Sequence, residues 1–80
     1  MSNVRVEFTV EPFVDGHPGE HVRAAWMAVE AHGCELAAGP LSSETEVPEA
    51  VVGDVVGDLL RAALDHGATR VTFQVEQIPT

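Results

Sequence analysis

The chain has 80 residues, a formal net charge of −9 from four Lys and Arg against thirteen Asp and Glu, and a single cysteine. That balance repels nucleic acid and anionic membrane surfaces, and a lone cysteine excludes an internal disulfide framework. With 45% hydrophobic residues the composition is that of a globular chain, expected to fold as one domain over residues 1–80.

A domain of this size buries roughly 60% of the surface that its unfolded form exposes. Such a core is marginal, so partner subunits are expected to complete it. The opening MSNVRVEFTV has no basic segment leading into a long apolar run, and no apolar stretch approaches the ~20 residues of a membrane span. The expected location is the cytoplasm.

In chain order, Val4, Val6, Phe8 and Val10 alternate with Arg5, Glu7, Thr9 and Glu11. Period two with β-branched residues predicts a half-buried strand, ended by Pro12. Asp15-Gly16 marks a turn, and Pro18 or Gly19 opens a helix with Val22, Ala25, Trp26 and Val29 as its apolar stripe. Glu20 in its first turn and His32 in its last would suit the helix dipole, and Gly33 the left-handed position past its end. Cys34, Leu36 and Ala38 form one face of a short second strand, and Gly39-Pro40 a turn.

The third strand is expected over Leu41 to Val47, with Leu41, Ser43, Thr45 and Val47 inward and Ser42, Glu44 and Glu46 outward. Pro48 opens the second helix, whose apolar face is Val52, Val55, Val56, Leu59, Leu60 and Ala63. Gly53 and Gly57 each cost a helix about 1 kcal/mol relative to alanine, and their shared side predicts a closely packed neighbour. Past Gly67 the last strand turns Val71, Phe73 and Val75 inward.

The order is strand, helix, strand, twice over, with a His-Gly helix stop at the same point of each half. Right-handed crossovers interleave the halves. The predicted fold is the α+β ferredoxin-like βαββαβ sandwich: a four-stranded antiparallel sheet of order 4-1-3-2 with both helices on one face.

The anomaly on the helix side is the hydroxyl pair Ser43 and Thr45. Buried hydroxyls need partners. Main chain or water satisfies them, or they floor a pocket beside Phe8 and beneath Trp26. An aromatic wall with two hydroxyls suits a flat heteroaromatic ring, and Glu46 would hold a positive charge near the mouth. His17 and His21 have a metal-like spacing, but Pro18 disfavours a helical His17 and no third ligand stands near. Cys34 reads as an inert core thiol. The outer face, with Arg5, Glu7, Thr9, Glu11, Thr72, Gln74 and Glu76, is either solvated or a polar interface.

The segments VEFTVEPF, AHGCELAAGP, SSETE and ALDHGATRVTFQVE, with the turn between the first two, resemble the thiamine-binding protein family over about residues 3–78. The family's third strand carries hydrophobic-Gly-Thr-x-x-Glu after a proline. Pro40, Leu41 and Glu46 match it, while Ser42 stands for the glycine and Ser43 for the threonine. The first-strand exit, Pro12-Phe13-Val14, departs from the family's Pro-Leu-Gly.

The resemblance implies a ferredoxin-like, non-enzymatic protein that binds thiamine or its hydroxymethylpyrimidine moiety in vitamin salvage or supply. It also implies no further cofactor, and dimers or tetramers formed through sheet faces. Phe8 and Trp26 would wall the ring, Ser43 and Thr45 hydrogen-bond it, and Glu46 balance a cation. Two other readings share the topology. A dimeric α+β barrel oxygenase or isomerase would want a buried His, Asn, Trp or Tyr constellation, and the chain has no Tyr and no Asn after Asn3. A regulatory ligand-sensing module would work through its polar sheet face.

Overall fold

The computed structural model describes residues 2–14 and 16–79. Its strands are β1 (Asn3–Glu11), β2 (Leu36–Ala38), β3 (Ser43–Pro48) and β4 (Arg70–Gln77). Helix α1 (Glu20–Glu30) follows β1, and α2 (Val52–Asp65) follows β3. The sheet order is β2-β3-β1-β4 with every neighbouring pair antiparallel, which is the ferredoxin-like arrangement predicted.

The alternation of β1 carries through to packing. Val4, Val6, Phe8 and Val10 are buried against Ala25 and Val29 of α1 and Val55, Leu59 and Ala63 of α2. Each fully buried Val, Leu or Phe side chain contributes about 1.5–3 kcal/mol, and this one strand supplies four of the ten buried apolar residues. Both helix stops use a glycine in the left-handed region, Gly33 at φ 78° and Gly67 at φ 103°. Beyond α2 the Ala68 amide donates to the Ala63 carbonyl at 3.0 Å, closing the last turn.

Several boundaries differ from expectation. Cys34 lies ahead of β2, half-buried against the core rather than within a strand. Leu41 precedes β3 and is 65% exposed, because the Gly39 amide donates to the Ser42 carbonyl at 2.8 Å and holds residues 39–42 in a tight turn. A short 3-10 turn, Glu49–Val51, separates Pro48 from α2. Gly53 and Gly57 face open space, where a Cβ would meet nothing within 4 Å, so no close neighbour explains them.

His32 lies past the end of α1 and pairs with Asp58 of α2 at 2.7 Å, tethering one helix to the other. On β4, register places Val71, Phe73 and Val75 on the core side opposite Val10, Phe8 and Val6. Yet Phe73 and Val75 remain 41% and 47% exposed. The strand is the border of the sheet, and the helix layer stops short of it. Among the described residues no helix is long and apolar enough to cross a membrane.

Candidate ligand pocket

The sheet register brings three parts of the chain to one end. Phe8 stands opposite Ser43, so the exit of β1 and the start of β3 lie side by side. The segment between β1 and α1 leaves from this end, and the turn at residues 39–42 enters at it. Between them is a cavity of about 320 Å³, whose inner lining includes Phe8, Val10, Val22, Trp26 and Ser43. That volume is at the low end of small-molecule sites.

Trp26 is the wall's fixed element. Its position one turn beyond Val22 on α1 directs the indole toward the sheet, where Nε1–H donates to Ser43 Oγ at 2.7 Å. Ser43 is only 6% exposed, so this bond satisfies a hydroxyl that water reaches poorly. Having accepted from the indole, the Ser43 hydroxyl keeps its own proton and a further lone pair. The pair therefore brings an aromatic face and a hydroxyl to the same space. At the mouth, Phe13, Val14 and Leu41 are exposed apolar side chains on the two loops.

The β1–α1 segment is anchored by a residue that sequence reasoning read differently. His21 is buried, and its Nε2–H donates to the Pro12 carbonyl at 2.6 Å. A carbonyl can only accept, so the proton sits on Nε2. The ring lies over Gly19, where a Cβ would come within 2.5 Å of Cε1. His17 lines the cavity, while His21 Nε2 is engaged with the Pro12 carbonyl. Among the described residues no group of three His, Cys, Asp or Glu is placed to hold a metal ion.

Of the five residues singled out in the sequence, Phe8, Trp26 and Ser43 share the cavity, and Thr45 and Glu46 are not part of its lining. Thr45 is buried as expected, but its Oγ1–H donates to the Glu35 carbonyl and holds the approach to β2. At about 3.3 Å per residue it lies some 7 Å deeper along the strand than Ser43. Glu46 has the opposite parity, so it sits on the outer face, accepting from Asn3 Nδ2 at 3.2 Å. His32 engages Asp58, and the Cys34 sulfur lies 4.0 Å from the His32 carbonyl oxygen, so thiol and imidazole are not paired with each other.

Phe13, Val14, His17 and Leu41 were absent from the sequence-based site. The available signal was topological: in this strand order the first crossover and the central hairpin meet at one sheet end, and both loops carry apolar residues beside Gly and Pro.

No family model and no curated protein matches the chain. Solved structures do. A domain of unknown function, DUF77, from Bacillus cereus is 24% identical, covering 99% of this chain and 77% of that one with a TM-score of 0.69. A candidate thiamine biosynthesis/salvage protein from Thermotoga maritima is 25% identical, covering 98% of this chain and 84% of that one with a TM-score of 0.68. The aspartate kinase of Clostridium acetobutylicum is 11% identical over 94% of this chain and 18% of its own, with a TM-score of 0.58. The Bacillus and Clostridium likenesses speak to fold alone.

Proposed function

We propose that the chain is a non-enzymatic binder of thiamine or its hydroxymethylpyrimidine moiety, serving vitamin salvage or supply. The observation that carries this reading is the Trp26–Ser43 pair on the wall of an apolar cavity of about 320 Å³. A planar aminopyrimidine would stack on the indole, a contact contributing about 0.5–1.5 kcal/mol, with the buried Phe8 packed behind as part of the cavity floor. Its ring nitrogens would accept from the Ser43 hydroxyl. The described lining carries no carboxylate, so a thiazolium would be met by aromatic faces rather than an ion pair, while the net charge of −9 favours approach of a cation. The likeness to the Thermotoga protein, itself tied to thiamine biosynthesis or salvage, supports the same ligand class.

The test is calorimetry with thiamine and with hydroxymethylpyrimidine, alongside the fluorescence of Trp26, the chain's single tryptophan. Both ligands are expected to bind and to change the emission. Ser43→Ala and Trp26→Phe are each expected to weaken binding about tenfold, a loss of ~1.4 kcal/mol. Absence of binding by either ligand, or unchanged affinity in Ser43→Ala, would remove this function.

A further inference from the structure

The segment between β1 and α1 forms one side of the cavity mouth, and few bonds hold it. At its start the Glu11 carbonyl accepts from the Thr69 amide at 2.8 Å. At its end the Gly19 carbonyl accepts from the Val22 and Arg23 amides at 3.1 and 3.0 Å. Among the described residues, the bond from His21 to the Pro12 carbonyl is the one hydrogen bond that reaches residues 12–14 and 16–18 between those points. We propose that His21 is a positioning residue for the cavity: by holding the Pro12 carbonyl it sets Phe13 and Val14 at the mouth and so slows the escape of a bound planar ligand. The inference rests on the reading of this cavity as the ligand site.

The first turn of α1 divides the two tasks. Consecutive helical side chains diverge by about 100°. Val22 therefore lines the cavity while His21, one residue earlier, is turned to the backbone of the segment. The imidazole fits because Gly19 has no side chain. A Cβ there would stand 2.5 Å from His21 Cε1 and 3.1 Å from Val14 Cγ2. Ring and Val14 thus flank the same stretch of bare backbone. Pro12 is bonded to the ring and Val14 stands near it, which leaves Phe13 between two placed neighbours.

Phe13 and Val14 are themselves exposed and line the cavity. Without the bond to Pro12, each binding event would have to order these side chains and the loop that carries them, and that ordering weakens binding. With the bond in place they are set before the ligand arrives. His21 thus acts on the ligand through the mouth, with no contact of its own to the cavity, whose lining does not include it.

The experiment uses hydroxymethylpyrimidine as probe and the emission of Trp26 in two ways. Stopped flow follows ligand association and release, and acrylamide quenching reads access to the indole with no ligand present. His21→Leu removes the donor, His21→Gln restores an N–H at about the reach of Nε2, and His21→Asn places its N–H short of the carbonyl. His21→Leu and His21→Asn are expected to release the ligand about tenfold faster, with association within about threefold of wild type. Both should also raise acrylamide quenching, while His21→Gln stays near wild type in each measurement. In a Phe13→Ala, Val14→Ala background His21→Leu should change release less than about twofold, because the side chains it positions are gone. Circular dichroism checks that each variant is folded, and if His21→Leu is not, the contrast between His21→Gln and His21→Asn carries the test. A wild type that binds no hydroxymethylpyrimidine would remove the vitamin reading, and quenching alone would then decide the role of His21. Unchanged quenching in His21→Leu and His21→Asn, no rescue by His21→Gln, or a full His21→Leu effect in the Phe13→Ala, Val14→Ala background would each overturn the proposal.

Discussion

The hydrogen bond between Trp26 and Ser43 fixes the wall of the cavity, and a double-mutant cycle measures it. The perturbations are Trp26→Phe and Ser43→Ala, singly and together. The bond is 2.7 Å long and its acceptor is almost fully enclosed. A net hydrogen bond between neutral groups contributes about 0.5–1.5 kcal/mol, and leaving one enclosed partner unsatisfied costs about 1–3 kcal/mol. Ser43→Ala strands the indole N–H beside a cavity that water can enter, which places its cost near 1 kcal/mol. Trp26→Phe costs more, since it also removes part of the ring that packs against the core. The coupling between the two changes is expected near 1 kcal/mol, because the second loses little once the first is made. Urea titration followed by circular dichroism gives each free energy. A domain of this length shifts its Tm by roughly 4–8 °C per kcal/mol, so thermal melts resolve the same cycle. A coupling below about 0.3 kcal/mol would refute the reasoning: the bond would then be absent in solution and the wall not preset.

Three further outcomes follow from the same geometry. Gly53→Ala and Gly57→Ala should each stabilise the protein by about 0.8–1 kcal/mol in urea titrations, because a Cβ at either site meets nothing within 4 Å; a loss of stability would mean that face is covered in solution. Gly19→Ala should destabilise by about 1–3 kcal/mol, since the new Cβ falls 2.5 Å from His21 Cε1 and displaces the ring from the Pro12 carbonyl; an unchanged Tm would show that the ring moves without cost. Thr45→Val should cost about 0.5–1.5 kcal/mol by removing the hydrogen bond to the Glu35 carbonyl while leaving ligand affinity within twofold, as Thr45 does not line the cavity.

The parts of the fold legible in the sequence are those set by short-range periodicity. Val4 to Val10 alternate, and Val55, Leu59 and Ala63 recur at helical spacing, so faces and element order could be read directly. Ser43 and Thr45 were correctly turned inward, since parity along β3 fixes their side. Parity does not fix depth or partner. Thr45 looked equivalent to Ser43, yet one donates to main chain and the other accepts from Trp26. His21 was obscured because its role depends on a neighbour with no side chain, Gly19, and on a carbonyl nine residues away. The exposure of Phe73 and Val75 was hidden for another reason: apolar patterning marks the side a residue faces, whereas the reach of the helix layer decides whether that side is covered.

The near-repeat of the two halves sharpens the question of why the cavity belongs to the first of them. Both halves end their helices alike, at Gly33 and Gly67, but they begin them differently. Between Glu11 and Glu20 the described residues 12–14 and 16–19 lie outside helix and strand, and His21 holds the segment through the Pro12 carbonyl. From Pro48 to Val52 only the 3-10 turn intervenes, and α2 starts directly over the sheet. None of residues 48–52 lines the cavity. The same inequality appears at the borders, with three residues in β2 and eight in β4. Equal halves would give two shallow hollows and two equivalent edges. Lengthening the first crossover concentrates the volume at Trp26 and Ser43, and the short β2 leaves β4 as the longer of the two border strands.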